Sequence, residues 1–69
     1  MIKLSRNNAN IYSRCAREIV NSTNRQMFRV ALTYASLFVR KLEREGVDTT
    51  EVLNTINYLR KGIKNRLGL

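Results

Sequence analysis

Residues 24–45 read NRQMFRVALTYASLFVRKLERE, the most apolar stretch of the chain. Its polar members Arg29, Thr33, Ser36 and Arg40 follow one another at intervals of four, three and four, which sets them on one face of an α-helix. Met27, Phe28, Val30, Ala31, Leu32, Tyr34, Ala35, Leu37, Phe38, Val39 and Leu42 occupy the remainder. At about 100° per residue they span an arc of roughly 220°. A surface helix carries a narrower stripe, so this helix is expected to be a hub that the other segments cover.

Working outward, the hub has few possible neighbours. The chain has 69 residues, one domain near the lower end of what folds without staples. One cysteine and no histidine exclude an internal disulfide and the usual Cys/His zinc site. Cys15 falls on an apolar helix face and is expected to be a small buried hydrophobe, not a reactive thiol.

Upstream, residues 1–7 are expected to form a flexible arm or a short strand, with Ile2 and Leu4 alternating with Lys3 and Ser5. Asn7, Asn8 and Asn10 are weak helix formers and good caps, which predicts that a first helix starts near 8–10 and runs to about 21. Ile11, Tyr12, Cys15, Ala16, Ile19 and Val20 give it one broad apolar face. Arg14 and Glu18 are four apart and can pair. The break at 21–24 is rich in cap residues, and Thr23 with Gln26 fits a capping box for the hub.

Downstream, Gly46 is expected to end the hub in a left-handed conformation. Asp48 with Glu51 fits a second capping box, and a third helix is predicted over about 49–66. Val52, Ile56, Leu59 and Ile63 form its apolar stripe, and Gly62 weakens its last turns. Three helices joined by short breaks predict an all-α, antiparallel up-down-up bundle with a long, largely apolar central helix. Tyr12 and Tyr34 lie on apolar arcs and are expected in the core. Val30 and Leu37 sit at the edge of the hub's arc: a homodimer or a larger protein partner covers them, or they are exposed.

Thirteen Lys and Arg against five Asp and Glu give a net charge of +8. Such a balance favours an acidic partner. In an up-down-up bundle one pole collects Arg17, Arg25, Arg29, Arg60, Lys61, Lys64 and Arg66 against Glu18 alone, leaving it +6 and the opposite pole +2. A concentrated basic end is the footprint of phosphate contact. On the third helix Asn54, Tyr58, Lys61 and Asn65 step by four, three and four opposite the apolar stripe. Amides hydrogen-bond bases or phosphates, lysines bind phosphate, and an exposed tyrosine can stack on a base. The plain alternative is a solvated helix face.

No histidine is available as a general base, no carboxylate pair has an evident site, and no glycine-rich phosphate loop occurs, so the reading is non-enzymatic and without cofactor or metal. The hub's apolar run of about 16 residues contains Arg29, Thr33 and Ser36 and falls short of the ~20 that a membrane span needs. The sequence therefore reads as a soluble, cytoplasmic, nucleic-acid-binding regulatory or architectural protein, for DNA or RNA. Its nucleic-acid-binding residues are expected to be Arg17, Arg25, Arg29, Asn54, Tyr58, Arg60, Lys61, Lys64, Asn65 and Arg66. The other class it fits is a protein-binding modulator, an inhibitor or adaptor that docks through the central helix and the basic surface, with Val30 and Leu37 at the contact.

Overall fold

The computed structural model describes residues 4–69. They form three α-helices packed together, α1 (Arg6–Val20), α2 (Arg25–Arg44) and α3 (Thr50–Leu67), with no strand among the described residues. The all-α, three-helix class expected from the periodicities is thus the observed one.

The helix starts differ from their sequence signals, each for a local reason. α1 begins at Arg6, earlier than expected, because Ser5 caps it: the Ser5 hydroxyl accepts the Asn8 N–H at 3.2 Å. Of the expected arm, Leu4 packs on the core and Arg6 and Asn7 are helical, while residues 1–3 lie outside the described residues. α2 is capped by Asn24, whose side chain accepts the Met27 N–H at 2.9 Å, and not by the Thr23–Gln26 box; the Thr23 hydroxyl turns to the Met27 sulfur instead. Before α3 the Asp48 carboxylate accepts both the N–H and the hydroxyl of Thr50, a local turn that takes the place of the expected Asp48 cap. These two bonds, the backbone one foremost, hold the Asp48 carboxyl below its ordinary range.

The end of α2 follows its sequence signal. Gly46 has φ 73°, its N–H bonds Glu43 O at 3.1 Å, and the Val47 N–H bonds Leu42 O at 2.9 Å. This is the Schellman closure, and only a glycine takes that backbone without strain. Val47 follows the turn back onto the core. α3 runs through Gly62 to Leu67 and does not stop at the expected weak point.

The core comprises two clusters strung along α2. One joins Ile19, Phe28, Ala31, Ala35 and Ile63; the other joins Cys15, Phe38, Leu42 and Val52. Tyr12 stacks on Phe38 with ring centroids 6.1 Å apart. α2 therefore buries Phe28, Ala31, Ala35, Phe38 and Leu42, one stripe at intervals of three and four. Its wide arc is not covered. Tyr34, expected in the core, is 55% exposed, and Met27, Val30 and Leu37 are open beside it. The reason is geometric: α1 and α3 both pack on one seam of α2, and the small side chains of Ala31 and Ala35 in that seam draw their partners onto it rather than around the helix.

A domain of this length is stable by only about 3–10 kcal/mol. Phe38→Ala is expected to cost ~3–5 kcal/mol and to leave little folded protein at room temperature. Tyr34→Ala, on the open side, is expected to cost less than ~1 kcal/mol. Urea titrations followed by circular dichroism check both values, and equal losses in the two variants would contradict the assigned seam.

Candidate nucleic-acid interface

The expected basic residues come from three helix ends. Arg17 lies in the last turn of α1, Arg25 and Arg29 in the first two turns of α2, and Arg60, Lys61, Lys64 and Arg66 in the C-terminal part of α3. All are exposed. What joins their ends is Arg66. One terminal nitrogen of its guanidinium donates to Val20 O and to Ser22 O, each at 2.7 Å. Those carbonyls close α1 and have no helical partner of their own, and a guanidinium suits the negative end of a helix dipole. Ser22 is fully buried beneath this contact, with its hydroxyl donating to Glu18 O at 2.9 Å. Arg66, an expected ligand contact, also fastens α3 to the α1–α2 break through these two bonds.

Helical register sorts the remaining cations. On α2, Arg25, Arg29, Leu32 and Ser36 form one row; on α3, Leu53, Asn57, Arg60 and Lys64 form another. Leu32 and Ser36 of the first row and Leu53, Asn57 and Arg60 of the second line one groove of about 480 Å³ between the helices. Arg25 and Arg29 extend the α2 row beyond it, toward the helix N-terminus, and Lys64 extends the α3 row toward its C-terminus. Of the expected cations the structure thus places Arg60 in the furrow, where Arg40 and the carboxylate of Glu43 also line it, while Arg25 and Arg29 line a neighbouring hollow with Gln26 and Val30.

It does not bring the others there. Asn54, Tyr58, Lys61 and Asn65 share the outward face of α3, and Tyr58 is 78% exposed. Arg17 lines a hollow between α1 and α2, beside Glu18, Asn21 and Met27. Val30 and Leu37 lie on that same side of α2.

Sequence reasoning did not find two polar anchors. Asn8, expected at a helix cap, is buried and bridges α1 to the end of α2: its amide donates to Glu45 Oε1 at 2.8 Å and its carbonyl oxygen accepts Lys41 Nζ at 2.7 Å. Lys41 closes the triangle on Glu45 Oε2 at 2.6 Å. Bonds from Lys41 first, and from Asn8 second, hold the Glu45 carboxyl below its ordinary value. Within the triangle only Lys41 and Glu45 are neighbours in sequence, an i,i+4 pair on α2 and its C-cap. Ser22 is the other. The expected Arg14–Glu18 pair forms at 3.5 Å on the surface. Cys15 is buried, and burial, with Glu18 adding to it, pushes its thiol up and keeps it protonated.

Compared with known proteins, the chain matches no family model, no curated protein and no solved structure. No helix among the described residues is long and apolar enough to cross a membrane.

The Glu45 triangle has a pH signature. Its folded-state pKa lies below the unfolded one, so its contribution is full above the ordinary glutamate range and is lost as pH falls through the lowered value. Wild type is therefore expected to melt above Glu45→Gln at neutral pH, with the gap narrowing in acid. A gap that stays constant across an acid series of calorimetric melts would contradict the assignment.

Proposed function

We propose that this is a small, basic, non-enzymatic nucleic-acid-binding protein of the cytoplasm, regulatory or architectural in role, with its helices arranged up-down-up. The observation that carries this reading is the pair of basic rows beside the α2–α3 furrow. Arg40 and Arg60 line the furrow with Glu43 as its acid, and Arg25, Arg29 and Lys64 continue the same helices beyond it, a mostly positive strip of the kind that tracks a phosphate backbone. An antiparallel course brings the start of α2 alongside the end of α3, and the Arg66 clasp at the α1–α2 break supports that course. Glu18, the acid at this end, is engaged by Arg14.

Arginine and lysine at such a furrow read charge and shape more than sequence, so duplex DNA and RNA hairpins both fit it. Asn57 and Ser36, which line the furrow, are the uncharged polar side chains placed to hydrogen-bond a ligand. The outward face of α3 supplies a second, separable contact: Lys61 as a further phosphate partner and Tyr58 as a stacking platform for an unpaired base.

The test is a salt titration of binding to a generic duplex and to a looped RNA. Four phosphate contacts predict a log–log slope of about −3 to −4. Arg29→Ala or Lys64→Ala should weaken both ligands alike and reduce the slope by roughly one. Tyr58→Ala should weaken only the looped ligand, by ~1–3 kcal/mol, and leave the slope unchanged. Binding that is absent at low salt, or indifferent to salt, would overturn the proposal.

A further inference from the structure

α2 carries a second stripe. Met27, Val30, Tyr34 and Leu37 follow one another at intervals of three, four and three, and each is between 46% and 55% exposed. This is the spacing of the a and d positions of a coiled coil, and it lies beside the buried stripe, not opposite it. Two adjoining hollows run along it between α1 and α2, of about 490 and 530 Å³, meeting at Tyr34 and Glu18. Ile11 and Cys15 continue the apolar wall from α1. Large side chains left open in a continuous line are uncommon on a small domain that can bury so little.

Charge decides what covers this line. Arg17, Arg40 and Arg44 supply the rim charge of the two hollows, since of the other lining ions Arg14 is engaged by Glu18 and Lys41 by Glu45. A second copy laid on the stripe would bring one basic rim against another. A basic amphipathic helix would meet the same repulsion. We infer that the Met27–Val30–Tyr34–Leu37 face docks an amphipathic helix of a partner protein whose apolar ridge is flanked by glutamate or aspartate. The apolar ridge supplies affinity by burying the stripe, and the acidic flanks meet the arginine rim and set orientation and choice of partner. This surface adjoins the α2–α3 furrow: Arg40 lines both, and Val30 shares a hollow with Arg25 and Arg29.

The probe is a synthetic helical peptide of about three heptads, with leucine at a and d and glutamate at e and g. Its control has lysine in place of every glutamate. Labelled peptide is titrated with the full chain at physiological salt and followed by fluorescence anisotropy. The glutamate peptide should bind, and the lysine peptide should bind roughly tenfold more weakly or not at all. Leu37→Glu should weaken the glutamate peptide by roughly tenfold or more, since it places like charge in the apolar line. Arg17→Glu combined with Arg40→Glu should exchange the preference, so that the lysine peptide becomes the better ligand; both positions are exposed, and circular dichroism verifies the fold. Tyr58→Ala should leave peptide binding unchanged.

Three results would overturn the inference. One is failure of the glutamate peptide to bind, or equal binding of both peptides. Another is a dimer in sedimentation that Leu37→Glu dissociates, which would make a second copy the occupant. The third is Leu37→Glu weakening duplex binding as much as peptide binding, which would assign the face to nucleic acid.

Discussion

Everything in this fold hangs on one seam of α2. Phe28, Ala31, Ala35, Phe38 and Leu42 are the buried residues of the longest helix, and both core clusters are threaded on them. Ile19 and Cys15 of α1 and Ile63 and Val52 of α3 reach that seam from either side. Ala31 and Ala35 let the neighbouring side chains approach closely, and the aromatic residues Phe28 and Phe38 flank them. Concentrating burial on one line is a natural answer for a short chain, which has too little apolar surface to wrap a helix completely. The consequence is a helix with an inner stripe that folds the domain and an outer stripe that does not.

Two polar contacts lock the ends of this arrangement. Near one end the Lys41–Asn8–Glu45 triangle ties α1 to the last turn of α2, and at the α1–α2 break Arg66 holds α3 across two carbonyls. The triangle is made of side chains alone, whereas the Arg66 contact uses carbonyls left without partners past the end of α1. They also spend charges: Lys41 and Arg66 are drawn into structure, which leaves Arg25, Arg29, Arg60 and Lys64 as the cations best placed for a ligand. The proposed functions divide along the same lines, with the basic furrow on the α3 side of α2 and the apolar, arginine-rimmed face on the α1 side.

Much of the fold was legible in the sequence. The 3.6-residue periodicities gave three helices, Gly46 marked the end of α2, and Val52 and Ile63 were recognisable core positions of α3. The caps were not legible, because Ser5, Asn24 and Thr49 compete with nearby residues of equal capping ability, and the winner depends on where the flanking chain goes. Tyr34 was misplaced for a deeper reason. Periodicity reports that a residue is on an apolar arc, but how much of that arc a neighbour covers depends on helix placement. The same holds at the candidate sites. Composition and register showed that the cations cluster and that Tyr58 faces outward. That Arg66 is a clasp, that Arg17 faces α1–α2 rather than the furrow, and that Asn8 is buried are three-dimensional facts with no local signature.

The central claim is that α2 keeps its second stripe open to solvent. Photochemically induced nuclear polarisation reads it directly, because the dye reaches only exposed tyrosine rings, and the chain has three tyrosines in three settings: Tyr12 stacked on Phe38, Tyr34 on the outer stripe, and Tyr58 on the far face of α3. The account predicts strong signals from Tyr34 and Tyr58 and a weak one from Tyr12. A silent Tyr34 beside a bright Tyr58 would mean that the stripe is covered in the free protein, and would contradict it.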